Sequence, residues 1–244
     1  MHLFVINPNS TASMTEVIRQ SAARVAGPCT RIDAATVREA PASIEGHADE
    51  ARATPPMLEA IRAAEARGAE ATVIACFDDL GLSAAREVAR GPVIGICQAG
   101  VQVAATIAKR FAIVTTLPRS VPIIEDLVDS YGAARLCRRV RSVNLPVLAL
   151  EADPPEALAR LKREIRLAVE QDGAEAVVLG CAGMAEMCHA LQRETGVPVI
   201  DPVSAAVKLA EAMAGGGFAT AKGGAYAFPR DKASSAATCP VATG

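Results

Sequence analysis

The sequence predicts an α/β fold of two pseudo-symmetric lobes, each a mainly parallel sheet flanked by helices, with the working cleft between them. Three observations carry this expectation. The stretch Gly68-Ala69-Glu70-Ala71-Thr72-Val73-Ile74-Ala75-Cys76 returns 105 residues later as Gly173-Ala174-Glu175-Ala176-Val177-Val178-Leu179-Gly180-Cys181. Pro92-Val93-Ile94 returns as Pro198-Val199-Ile200 at an offset of 106, and Phe4-Val5-Ile6 as Phe111-Ala112-Ile113 at 107. Both stretches that end in cysteine are unbroken apolar runs bounded by Gly and by small or acidic residues, as parallel strands buried on both faces are. A repeat this long gives two lobes, since solenoid units run to only a few tens of residues. The lobes are expected as residues 1–98 with about 205–230, and 99–204. Residues 231–244, rich in Ala, Ser and Thr, have little to bury and are expected to be a disordered tail.

In chain order, Leu3–Asn7 reads as a strand, and Pro8-Asn9-Ser10-Thr11 as a polar turn before a helix with an apolar face of Met14, Val17, Ile18, Ala22 and Val25. Asn9 or Ser10 is placed either to cap that helix or to meet a substrate. Thr30–Val37 reads as a peripheral strand. Residues 38–56, with Pro41, Gly46, Pro55 and Pro56, read as a long loop of the kind that covers a site. Helix Met57–Arg67 then leads into the strand ending at Cys76. Phe77-Asp78-Asp79-Leu80-Gly81 follows, then a helix from about Leu82, a strand Pro92–Cys97 and a helix opened by Gln98-Ala99-Gly100.

The second lobe begins with strand Arg110–Thr116, so Thr115 and Thr116 are expected where Asn7 and its turn stand in the first. Helix Val121–Tyr131, strand Val140–Leu145 and a helix with stripe Leu158, Leu161, Ile165 and Val169 precede the strand ending at Cys181. Ala182-Gly183-Met184 is small enough for backbone to approach a ligand closely. Strand Val197–Ile200 and helix Val203–Ala214, stopped at Gly215-Gly216-Gly217, complete the fold.

Composition narrows the function classes. A net charge of −2 gives no electrostatic case for nucleic acid or for an anionic membrane. No apolar run reaches the length of a membrane span and the N-terminus starts directly with a strand, so a cytoplasmic protein is expected. Aromatic residues make up 3% with no Trp, too few to supply stacking platforms for bases or flavins. Seven cysteines, an odd number, favour free thiols over a disulfide framework. His2, His47 and His189 have no ligand-like spacing, so no metal site is expected.

A free cysteine is ordinarily a small buried hydrophobe, and Cys29, Cys97, Cys137, Cys188 and Cys239 are read so. Cys76 and Cys181 differ because they occupy equivalent repeat positions at the sheet edge where α/β folds bind ligands. Each leads into a loop with helix-initiating character, where free N–H groups are expected to stabilise thiolate and lower its pKa. Two thiols on opposite sides of one cleft suit inversion of a stereocentre: one removes a proton from carbon and the other returns a proton to the opposite face. The enolate-like intermediate would be held by N–H groups of the two loops and by hydroxyls such as those of Ser10, Thr115 and Thr116. Redox pairs use a short C-x-x-C motif instead, which is absent.

Ile6-Asn7-Pro8-Asn9-Ser10-Thr11, Pro41-Ala42-Ser43-Ile44-Glu45-Gly46-His47, Ala75-Cys76-Phe77-Asp78-Asp79 and Leu179-Gly180-Cys181-Ala182-Gly183-Met184 together resemble the hydantoin racemase and allantoin racemase branch of the aspartate/glutamate racemase superfamily. The resemblance runs from residue 1 to about Arg230. It implies a two-lobed fold, cofactor-independent racemisation by Cys76 and Cys181, a small-molecule substrate such as a 5-substituted hydantoin or allantoin, and assembly into homo-oligomers. Asn7, Asn9, Ser10, Phe77, Asp78, Asp79, Thr115, Thr116, Ala182 and Gly183 are the expected substrate-binding residues. An aspartate or glutamate racemase is the alternative within the superfamily, although Asn7-Pro8 stands where amino-acid racemases usually carry Asp-Ser. A two-lobed small-molecule sensor is the alternative outside it.

Overall fold

The computed structural model describes residues 1–230, so the tail expected at 231–244 lies outside the described residues. Eight strands form two four-stranded parallel sheets. The first has the order β2 (Arg31–Thr36), β1 (His2–Asn7), β3 (Ala71–Ile74), β4 (Val93–Gly95), and the second β6 (Cys137–Ser142), β5 (Phe111–Thr115), β7 (Ala176–Gly180), β8 (Val199–Ile200). The central strands β1, β3, β5 and β7 are buried almost throughout, which is why they read as unbroken apolar runs. β2 is an edge strand and half exposed.

The second sheet repeats the first, with one slip against the sequence alignment. Ile6 pairs with Ile74, and the equivalent pair in the second sheet is Val114 with Leu179. With β3 and β7 related by 105, β1 and β5 are therefore related by 108 and not by the 107 at which Phe4-Val5-Ile6 matches Phe111-Ala112-Ile113. A one-residue slip exchanges the two faces of a strand, so Phe4 is not the counterpart of Phe111. The corrected register sets Thr115 opposite Asn7, where the polar pattern had put it.

Nine helices are described: α1 (Ala12–Val25), α2 (His47–Ala66), α3 (Leu82–Val88), α4 (Ile96–Ile107), α5 (Ser120–Ser130), α6 (Ala149–Ala152), α7 (Pro154–Glu170), α8 (Cys188–Thr195) and α9 (Pro202–Gly215). One apolar core runs from the inner faces of both sheets through α1, α4 and α9, and a second lies between the first sheet and α2 and α3. The two inner helices cross over. α4 lies against β7 and β8 of the second sheet, α9 lies against β3 and β4 of the first, and the two pack on each other.

Several boundaries depart from the sequence reading. The loop expected at 38–56 ends at Gly46, because α2 begins at His47 and continues through Pro55 and Pro56 to Ala66. Those prolines give up helical bonds to the carbonyls of Ala51 and Arg52, two exposed residues whose carbonyls can turn to solvent instead. Cys97 does not end a strand; it is the second residue of α4. On α7 the buried stripe is Ala157, Leu161, Ile165 and Ala168, and Val169 faces outward.

Candidate active site

Both repeat cysteines lie just beyond a strand end and line one cleft between the two sheet edges. Its other walls are Pro8, Asn9, Met14, Ile44, Ala75, Phe77, Asp78, Thr115, Thr116, Ser120, Val147, Gly180 and Ala182. Cys76 follows β3 and is partly exposed to this space, and Cys181 follows β7 and is nearly buried. The free volume is about 40 Å³, room for a few water molecules.

Contacts between the two sides hold the cleft closed around this space. The Val147 N–H donates to Glu45 Oε1 at 2.9 Å, joining the 37–46 loop to the loop before α6. Ser13 Oγ on α1 donates to Glu151 Oε2 on α6 at 2.7 Å. Gly46 passes close to the Arg119 guanidinium, where an added Cβ would lie 2.6 Å from Nη2 and displace that side chain.

The expected site residues divide into two groups. Asn9, Phe77, Asp78, Thr115, Thr116 and Ala182 face the cleft with the cysteines; Asn7, Ser10, Asp79 and Gly183 do not. The Asn7 side chain is fully buried and spends its amide on Asn9 Oδ1, the Thr11 carbonyl and Thr15 Oγ1. It thereby shapes the turn that presents Asn9. Ser10 bonds through its backbone to the Pro41 carbonyl. Neither Asn9 nor Ser10 caps α1: Asn9 Oδ1 accepts the Thr11 N–H in a local turn, and Thr11 is the N-cap residue. Gly183 is one step behind the cleft wall, but its N–H bonds the Cys181 sulfur. Thr115 Oγ1 donates to the Gly180 carbonyl at 3.0 Å, so its proton is already committed. That contact requires Gly180, since a Cβ there would sit 2.8 Å from Thr115 Cβ.

Asp79 departs furthest from expectation. Its carboxylate turns away from the cleft and accepts the Cys97 N–H at 3.0 Å, the Gln98 N–H at 2.9 Å and the Tyr131 hydroxyl at 2.6 Å. The sequence reading missed Pro8, Met14, Ile44, Ala75, Ser120, Val147 and Gly180 as cleft residues. Pro8, Ile44, Ala75 and Gly180 stand inside the quoted motifs, whereas Met14, Ser120 and Val147 have no local signal.

The electrostatics reverse the expected activation of the thiols. Burial pushes the Cys76 thiol well above its ordinary pKa, and the Asp78 carboxylate adds to this, against one hydrogen bond from the Asp78 N–H. Burial pushes Cys181 up to about 12, with the Gly183 N–H opposing and Asp78 again adding. The expected lowering fails for a physical reason: one backbone N–H at each sulfur is outweighed by desolvation of the anion and a carboxylate beside it. Moreover, no regular helix starts at either cysteine. α3 begins six residues after Cys76, and Cys181 leads into a 3₁₀ turn, Ala182–Met187. Burial raises Asp78 itself to about 7, with Glu50 and Asp79 adding and His47 opposing.

All six cysteines in the described residues are free. Among those residues no group of three or more His, Cys, Asp or Glu side chains is arranged to hold a metal ion. No helix among them is long and apolar enough to cross a membrane.

Comparison with known proteins agrees with this architecture. A hydantoin racemase of Rhizobium meliloti is 62% identical over 233 residues, covering 96% of this chain and 97% of that protein. A hydantoin racemase of Pseudomonas sp. (strain NS671) is 45% identical over 232 residues, covering 95% and 93%. The structure of allantoin racemase from Klebsiella pneumoniae superposes with a TM-score of 0.93 at 47% identity, covering 96% of this chain and 95% of that one. The family described as Asp/Glu/Hydantoin racemase matches residues 3–210, which places the repeat, both sheets and the cleft inside it. The chain belongs to the Asp/Glu/Hydantoin racemase family.

Proposed function

We propose that this isomerase inverts the C5 stereocentre of 5-monosubstituted hydantoins or of allantoin, with Cys76 and Cys181 as the two proton-transfer groups. The observation that carries the reading is the pair of repeat-related thiols lining one cleft. One sulfur, as thiolate, takes the C5 proton while the other, as thiol, delivers a proton to the opposite face. The raised pKa of both thiols fits a carbon acid: thiolate is scarce, but each thiolate is a stronger base, and a thiol of this kind holds the proton that it must return. The hydroxyls of Thr116 and Ser120, uncommitted where that of Thr115 is bonded to Gly180, are placed to receive charge developing on a ring carbonyl. Asp78 is the acceptor for a ring N–H, as a charge-assisted bond above its pKa of about 7. The chemistry uses no metal or organic cofactor. No Arg or Lys lines the cleft, which favours a neutral ring over a dicarboxylate amino acid.

The division into lobes 1–98 with about 205–230, and 99–204, belongs to this reading, supported by the crossing of α4 and α9. So do assembly into homo-oligomers, checked by light scattering, and residence in a reducing cytoplasm, where the six free thiols of the described residues persist. The test is racemisation by the wild type, Cys76→Ala and Cys181→Ala in chelator-treated buffer with a thiol reductant. Each substitution is expected to cost on the order of 10²–10⁴ in kcat, and the wild type to turn over hydantoin or allantoin but not free aspartate or glutamate. Near-normal turnover in either variant, or aspartate racemised faster than every hydantoin tried, would overturn the proposal.

A further inference from the structure

We propose that Asp79 and Tyr131 form a tether between the two lobes that aims Cys76 at the substrate, and that no such carboxylate anchor aims Cys181. The inference rests on the two-thiol reading above and adds positioning residues to it.

The tether starts in the backbone. Asp79 has φ +46°, in the left-handed region that costs a residue with a Cβ, and its N–H closes a turn onto the Cys76 carbonyl at 3.1 Å. Cys76, Phe77 and Asp78 are therefore held in a short turn whose far end is Asp79, and the Asp78 N–H of that turn bonds the Cys76 sulfur. The turn is fixed by its far carboxylate. Asp79 is 5% exposed and accepts the first free N–H groups of α4, those of Cys97 and Gln98, at the positive end of that helix. Gly95 makes this reach possible, since a Cβ there would lie 2.3 Å from the carboxylate.

The third donor comes from the other lobe. Tyr131, at the C-terminus of α5, donates its hydroxyl to Asp79 Oδ2 at 2.6 Å. Burial and the adjacent carboxylate hold the phenol far above its ordinary pKa, so it stays a donor throughout the working range. α5 begins at Ser120, which lines the cleft. One helix thus touches the site at one end and holds the Cys76 turn at the other.

The Cys181 side shares the turn but not its anchor. Met184 stands where the repeat would place Asp79, and its N–H closes the same turn onto the Cys181 carbonyl at 3.1 Å, but its side chain carries no carboxylate to fix that turn on a helix. α9, the counterpart of α4, is capped by Asp201 from its own N-terminus, with Ser21 of α1 as a further donor. No carboxylate there belongs to the cysteine loop, so loosening the tether disturbs only one of the two proton transfers.

That asymmetry sets the test. Tyr131→Phe removes one hydroxyl that is not among the groups lining the cleft. Both enantiomers of a 5-monosubstituted hydantoin, carrying protium or deuterium at C5, are turned over by the wild type, Tyr131→Phe, Cys76→Ser and Cys181→Ser. The enantiomer that Cys181→Ser still exchanges is the one that faces Cys76. For Tyr131→Phe the expected result is a kcat about tenfold lower, from misplacement of one reacting group, with KM within about twofold. The substrate isotope effect should rise for the enantiomer facing Cys76 and fall for its mirror image, because the Cys76 step becomes limiting in both directions. A defect in the fold alone would change both enantiomers alike. Wild-type kcat, a change in KM only, or equal isotope effects on both enantiomers would overturn the tether while the cysteine variants keep their opposite preferences. If the two cysteine variants shared one preference, the two-thiol reading would fall and the positioning proposal with it.

Discussion

At the scale of single residues, the site sets a scarce thiolate against a strong base. Cys181 is pushed up to about 12 and Cys76 lies well above its ordinary value, so the thiolate fraction of each grows about tenfold per pH unit through the alkaline range. Loss of activity to iodoacetamide should accordingly accelerate about tenfold per pH unit from about pH 8 to 10 with no plateau. A plateau at or below about pH 8.5 would show thiols of ordinary acidity. The Asp78 carboxylate raises both sulfurs, so Asp78→Asn should speed this inactivation several-fold above pH 7, where Asp78 is ionised, and the two proteins should converge below it. Equal rates at pH 8 would remove Asp78 from the electrostatics of the thiols. The same residues show how far residue-level reading reaches. Cys76 and Cys181 were legible because a repeat singled them out from seven cysteines, and Asp78 because it stood beside one of them. Asp78 and Asp79 are neighbours of identical chemistry that face opposite ways, and a backbone at φ +46° cannot be read from Asp-Asp.

At the scale of elements, the cleft is bordered by two loops, 37–46 and 143–148, that meet across it. The 37–46 loop reaches the second lobe through Glu45, whose carboxylate accepts the Val147 N–H across the cleft. Removing a hydrogen bond of this kind costs about 1 kcal/mol net, which shifts the closed population about fivefold. Glu45→Ala should therefore raise KM about fivefold and leave the C5 isotope effect unchanged, with Glu45→Gln intermediate since it keeps an acceptor. An unchanged KM in the Ala variant would mean that the bridge does not bear on closure. Sequence reading did expect a covering segment here, but made it ten residues too long. Pro55-Pro56 reads as a break in the sequence, whereas the side chains around it, Ala53 and Met57 among them, are buried on the first sheet and hold the helix through it. Packing of an amphipathic face outweighs the lost backbone bonds when the freed carbonyls face water. The slip of β1 against β5 has a similar origin. Phe recurs at an offset of 107, yet the hydrogen-bonded register is 108, because pairing with β3 and β7 fixes the strands and identity at one position does not.

At the scale of the whole molecule, the site exists only between two lobes that share a core. The inner apolar cluster runs through α4 and α9 into both sheets, so the lobes should unfold together and a ligand in the cleft should protect both. A 5,5-disubstituted hydantoin has no C5 proton to lose and serves as an inert ligand. At 100 times its Kd it should add about 2.7 kcal/mol, raising Tm by about 5–10 °C in one unbroken transition. Two transitions, only one of which moved, would show that the ligand grips a single lobe. The sequence by itself determined the parallel sheets, the two-fold plan and the two cysteines, because all three are written in local patterns: apolar runs of strand length, turn residues at fixed places and a repeat. Only the tertiary structure decided which polar residues face the cleft, that Met14, Ser120 and Val147 complete it, and that Asp79 caps a helix and binds Tyr131 from the other lobe. It also decided the charge state of the thiols. Local sequence shows the N–H groups that favour thiolate, but the desolvation that overrules them comes from residues brought together across the fold from Pro8 to Ala182.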